Sequence, residues 1–208
     1  MVGMESDIDD KVSPFTDMIN GALFYSALFS KLRGRLETDG AIWTCLNWRS
    51  MVSFQKAAFD ARLRIASMLV WDKVCIGTGG PAGLRSSYEL VALMPMDKFK
   101  MVDRGLRDVV TIKWPTTKPT GHPAEKPEAL MDFLIEISTR PGDTVLDPFM
   151  GSGTVGASAL RLGRRYIGME MDPGWFAYAA DRIRGVSQQT VLDPHSLRAW
   201  GGGQGVGA

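Results

Sequence analysis

The stretch Thr144-Val145-Leu146-Asp147-Pro148-Phe149-Met150-Gly151-Ser152-Gly153 constrains the fold more than any other part of the chain. A short apolar run ends in an acid and a glycine-rich turn. The small and apolar residues Thr154 to Leu162 follow and read as a helix. Arg165 to Glu170 reads as the next strand, and Pro173 to Arg184 as one more helix. Strand, glycine turn, helix, strand is half of a nucleotide-binding doubly wound sheet. The expected fold is therefore α/β, a Rossmann-like doubly wound mixed sheet. In such sheets ligands bind at the carboxyl edge of the parallel strands, where glycine lets them approach the backbone closely.

Two acids narrow the ligand. Asp147 stands at the strand end beside the glycine turn, and no P-loop lysine follows it. An acid there disfavours a polyphosphate and favours a cationic ligand. Glu170 ends the next strand about twenty residues on, where an acid hydrogen-bonds ribose hydroxyls in folds of this kind. A ligand with a ribose, a positive centre and no phosphate fits S-adenosylmethionine better than NAD or ATP. The competing reading is that Asp147 caps the following helix and Glu170 is a solvated acid.

The rest of the chain alternates in the same way. Residues 1–15 are polar and acidic and read as loop, with Pro14 opposing any helix. Apolar residues at three-to-five spacing predict a helix over 16–36, and Ala41 to Asn47 predicts a strand. Residues 49–64 read as helix and Ala66 to Trp71 as a buried strand. Cys75 to Ser87 is a glycine-rich arm leading into a strand over Tyr88 to Met94. Residues 97–126 carry three prolines that oppose a continuous helix or inner strand. A helix is expected from Pro127, with proline suited to the first turn. The tail 201–208 is glycine-rich and expected to be disordered.

The 208 residues suit one domain, expected over 1–200. No apolar run is long enough to span a bilayer and the N-terminus has no basic-then-apolar signal, so the expected location is cytoplasmic. Cys45 and Cys75 form no CxxC pair, and His122 and His195 lie off ligand spacing; no metal site is expected. Net charge is +1, but positive residues cluster locally at Lys31, Arg33 and Arg35, at Arg104 and Arg107, and at Lys113, Lys118 and Lys126. Local charge is what grips phosphates.

These residues resemble a known family. DPFMGSGTV, residues 147–155, is similar to the cofactor motif of the N4-cytosine and N6-adenine DNA methyltransferases. His122-Pro123-Ala124-Glu125-Lys126-Pro127 resembles the family's HPTxKP segment, and Gly168 to Asp172 followed by Ala180 to Ile183 resembles its GxExxxxYxxxAxxRI stretch. The order resembles the permuted group often called beta. The resemblance implies the S-adenosylmethionine-dependent methyltransferase sheet of about seven strands. It implies a cofactor pocket of Asp147, Phe149, Gly151, Ser152, Gly153 and Glu170, with Met171 flanking the adenine and Lys126 and Thr154 near the methionine end. The implied partner is double-stranded DNA, and the implied product N6-methyladenine, with N4-cytosine as the alternative. Residues 97–121 fall where the family places target recognition. There Arg104, Arg107, Lys113 and Trp114 either reach DNA or form a solvated loop over a packed Trp114.

One family motif is not found. [DNS]PP[YFW] holds and stacks the flipped base. The nearest matches are Asp147-Pro148-Phe149, Ser13-Pro14-Phe15 and Asp193-Pro194-His195, none with the second proline. The catalytic residue is thus unassigned. The expectation is a truncated methyltransferase, against half of a split enzyme or a non-catalytic cofactor- and DNA-binding subunit. A homodimer or a complementing subunit would fit.

Overall fold

The computed structural model describes residues 14–77, 83–115, 120–122 and 124–192. The expectations for residues 1–13, for Lys118, for Asp193-Pro194-His195 and for the tail 201–208 lie outside the described residues. Helix α1 (Pro14–Arg33) is followed by β1 (Ala41–Leu46), a 3-10 turn at Trp48–Ser50 and α2 (Met51–Asp60). Next come β2 (Ser67–Asp72), β3 (Tyr88–Pro95) and β4 (Val109–Thr111). The chain continues with α3 (Glu128–Ser138), β5 (Thr144–Asp147), α4 (Thr154–Arg161), β6 (Arg165–Gly168) and α5 (Pro173–Leu192).

Alternation along the strands sorts side chains onto two faces of a four-stranded sheet, ordered β1-β3-β2-β4. Ile42, Leu46, Leu90, Ala92 and Met94 point to one face and bury Phe29 of α1 and Phe54, Ala57 and Ala58 of α2. Leu69, Trp71 and Val91 point to the other and bury Leu130, Met131, Leu134 and Ile137 of α3. Helices on both faces make this a doubly wound α/β sheet. The sheet is mixed: β3 runs antiparallel to β1 and β2, whereas β4 runs parallel to β2.

β5 and β6 form a separate parallel pair, with Asp147 opposite Gly168 at its carboxyl end. About seven strands in one sheet are expected from the resemblance; the described residues form six, in two sheets. The two sheets are joined through helices, because α3 packs on the four-stranded sheet and Val155 of α4 packs into the same core. Gly156 brings α4 close to β6 and α5. A Cβ there would stand 2.7 Å from Tyr166 Cε1 and 2.5 Å from Ile183 Cδ1, so only a residue without a side chain fits. The opposite face of the pair is open, with Leu146 38% and Ile167 52% exposed.

Three departures from the expected elements have physical causes. Pro14 opens α1 instead of excluding a helix, since a first-turn proline loses no hydrogen bond the helix needs. β4 lies inside the stretch read as irregular. It is a three-residue strand that among the described residues pairs with β2 alone, at the sheet edge, so the neighbouring prolines do not obstruct it. α5 runs past Arg184 through Gly185 to Leu192. A lone helical glycine costs only about 1 kcal/mol and does not end a helix.

Candidate cofactor site

The site forms where β5 ends. Asp147 Oδ1 accepts the Phe149 N–H at 3.0 Å, which folds the chain back on itself directly after the strand. The ladder then continues irregularly: Met169 N–H donates to Asp147 O and Met150 N–H to Met169 O. Gly151 at φ +52° and Gly153 at φ +79° make the left-handed steps that turn the chain into α4. Gly153 is the N-cap of α4, so Asp147 does not cap that helix.

Glu170 reaches back from the end of β6. Its Oε2 accepts the Gly151 N–H at 2.8 Å, and its Oε1 accepts the Met171 and Asp172 N–H groups at 2.8 and 2.9 Å. It is therefore not a free solvated acid. Burial works against its charge, but the amides of Asp172, Gly151 and Met171 and the nearby His122 outweigh it, and the carboxyl sits below its usual range. Asp147 goes the other way. Burial lifts its carboxyl above the usual range, and the Glu170 charge adds to the lift against the Phe149 amide and the Tyr166 hydroxyl.

These elements open onto a cavity. Six of the residues expected at the cofactor line it: Asp147, Phe149, Gly151, Ser152, Thr154 and Lys126. Gly153 stands behind the turn, where a Cβ would meet Ala179 of α5 at 3.0 Å. Glu170 touches the turn through the Gly151 amide. Met171 is 98% exposed, which excludes a core role for it.

Lys126 is not a free surface lysine. Its ammonium pairs with Glu89 Oε2 at 3.1 Å and lies 5.4 Å from the centre of the Trp114 ring. Lys73 reaches the other oxygen of Glu89 at 3.4 Å and the same ring at 5.5 Å. Trp114 stacks on Trp71 with centroids 5.3 Å apart, so it is packed into the fold, while Arg104, Arg107 and Lys113 stand exposed. Glu89 and Trp114 are residues whose link to this site sequence reading did not find.

His122 bonds locally, its Nδ1 accepting the Ala124 N–H at 3.2 Å, and its ring meets Trp175 edge-on at 4.5 Å. It also closes over the glycine turn, since a Cβ on Gly151 would fall 3.2 Å from its Cε1. A buried ion network was likewise missed, built on Glu125 and Arg182. Both lie inside the quoted motifs, but each has a charged neighbour in sequence, Lys126 and Asp181, so nothing local marks either as buried.

A parallel strand pair, a glycine turn opening a helix, an acid close to each strand end and a paired lysine come together around this cavity. The chain belongs to the N6/N4 DNA methylase family, whose model matches residues 6–181. It is 26% identical over 200 residues to the type II methyltransferase M.HinfI of Haemophilus influenzae, covering 86% of this chain and 56% of that one. It is 48% identical over 62 residues to the type II methyltransferase M2.DpnII of Streptococcus pneumoniae, covering 30% and 23%. The chain thus spans about half or less of the length of the curated relatives it matches. Among solved structures it resembles the M1.HpyAVI–SAM complex, with a TM-score of 0.67 and 25% identity over 76% of this chain and 81% of that one. No described helix is long and apolar enough to cross a membrane.

Proposed function

We propose that this chain binds S-adenosylmethionine and supplies the methyl-donor half of a DNA methyltransferase acting on an exocyclic base amine. One observation carries the reading. Asp147, the glycine turn and Lys126 line one cavity at the carboxyl end of β5, and Glu170 is fastened to that turn through Gly151. Lined by a carboxylate and an ammonium, the cavity suits a zwitterionic ligand end, and the acid at the end of β6 suits a ribose. The M1.HpyAVI–SAM complex, similar over most of its length, supports the choice of ligand.

When bound, the cofactor supplies an electrophilic methyl group that the base amine attacks directly. This chain's residues then act by holding and orienting, and positioning supplies much of the rate in such a transfer. Glu170 and Gly151 would hold the ribose side, Asp147 and Phe149 the floor, and Lys126, Ser152 and Thr154 the methionine side, with Met171 along the adenine. The substrate is double-stranded DNA and the product N6-methyladenine, with N4-methylcytosine as the second reading within the same family. Arg104, Arg107 and Lys113, exposed on segment 97–121, are suited to phosphate or guanine contacts. No residue of this sequence is assigned to hold the flipped base.

The test has two stages. Calorimetry with S-adenosylmethionine should show binding that Asp147→Ala removes; absence of binding by the parent chain would end the reading. Transfer of labelled methyl to unmethylated DNA, followed by nucleoside analysis, then separates adenine from cytosine. Cofactor binding without transfer would identify these residues as a binding subunit.

A further inference from the structure

The middle of α5 carries a guanidinium, that of Arg182, which reaches across the molecule. Arg182 Nη1 donates to Ser152 O at 3.1 Å and to Thr154 Oγ1 at 3.3 Å, inside the turn that opens α4. The same nitrogen donates to Glu125 Oε1 at 3.1 Å, and Nη2 donates to Glu128 Oε1 at 2.6 Å. Glu125 is almost fully buried, its side chain 4% exposed, and its other oxygen accepts the Thr120 hydroxyl at 2.7 Å. A buried carboxylate is tolerated only when it is paired and hydrogen-bonded, and here both oxygens are satisfied. The fork of the guanidinium is what allows one side chain to serve two carboxylates and a carbonyl together.

Placement gives this network a consequence for the ligand. Glu125 and Lys126 are neighbours in sequence. Glu125 turns to Arg182, and Lys126 turns to Glu89 at the four-stranded sheet. The short segment between Thr120 and α3 is thus held from both sides, and Ser152, Thr154, Glu125 and Lys126 all line the cavity. The ribose side is fastened differently, through Glu170 and three backbone amides that Arg182 does not touch.

We infer that Arg182 and Glu125 are a positioning pair for the amino-acid end of the cofactor. They set the Ser152–Thr154 turn and Lys126 in mutual register and leave the nucleoside end unaffected. The inference rests on the reading of the site as an S-adenosylmethionine pocket.

The experiment compares two ligands on the same chain: S-adenosylmethionine, and 5′-methylthioadenosine, which lacks the amino-acid end. Arg182→Met should weaken S-adenosylmethionine about tenfold, as expected for losing a hydrogen bond from a charged group. Methylthioadenosine affinity should stay within about twofold. Glu125→Gln, which keeps shape and one acceptor oxygen, should show the same selectivity at smaller amplitude, and Arg182→Lys should recover part of the loss. A purely structural role lowers both affinities together, so equal losses for the two ligands overturn the inference alone. Should Arg182→Met fail to fold, Glu125→Gln decides: a selective loss supports the inference and a uniform or absent one overturns it. A parent chain that binds neither ligand overturns the functional reading and this inference with it.

Discussion

Substituting Gly153 by alanine tests the join between α4 and α5. Gly153 has φ +79°, and a Cβ there would meet Ala179 Cβ at 3.0 Å, Ala179 Cα at 3.1 Å and Ala179 O at 3.3 Å. Two of those three atoms are backbone, so no rotamer change relieves the contact. The left-handed conformation costs an L-residue about 1–2 kcal/mol. Overpacking adds about 1–3 kcal/mol where neighbours cannot move. The expected loss is about 3 kcal/mol, or a Tm lower by about 6–12 °C for a chain of this size. Gly142→Ala is the matched control. Its φ is +90°, but nothing lies within 4 Å of the added methyl, so only the conformational cost of about 1–2 kcal/mol applies. Urea unfolding of both variants isolates the packing contribution as their difference. Equal losses would refute the claim that the start of α4 is rigidly apposed to α5 at this point.

Four further outcomes are expected. Asp147 is lifted by burial, so the stability tied to its protonated form is complete below about pH 4 and lost as pH rises through its raised value. Asp147→Asn should therefore gain on the parent chain with rising pH. Glu170 is held down, so its contribution is present above about pH 4 and lost as pH falls through its lowered value. Glu170→Gln should be most harmful at neutrality, and parallel curves across pH 3–8 in urea unfolding would contradict both assignments. Trp114→Ala removes the ring that stacks on Trp71 and carries Lys73 and Lys126, and should cost about 2–4 kcal/mol in the same assay. Burial pushes the Cys45 thiol up to about 11, so a thiol reagent at pH 8 should label Cys75 promptly and Cys45 only after unfolding. Two fast equivalents would show that β1 is more open than described.

The sequence by itself determined the elements around the cavity, because their causes are local. Glycine at 151 and 153 is demanded by positive φ, and the run of small residues from Thr154 by the close approach at Gly156. Two-residue alternation in β1 and β3 and the apolar stripe of α3 are written along the chain. Asp147 and Glu170 are identifiable because Asp147 ends β5 and Glu170 follows β6 by two residues, and both strand patterns are visible. Tertiary structure decided what depends on partners remote in sequence. β4 exists through its pairing with β2, which overrides the prolines nearby. Lys126, which the sequence places near the ligand only by resemblance, lines the cavity and is held there by Glu89 and Trp114. The union of Glu125 with Arg182 spans 57 positions. A charge pair across that separation leaves no periodic trace, since its energy depends on burial and geometry created only when α3, α4 and α5 pack together.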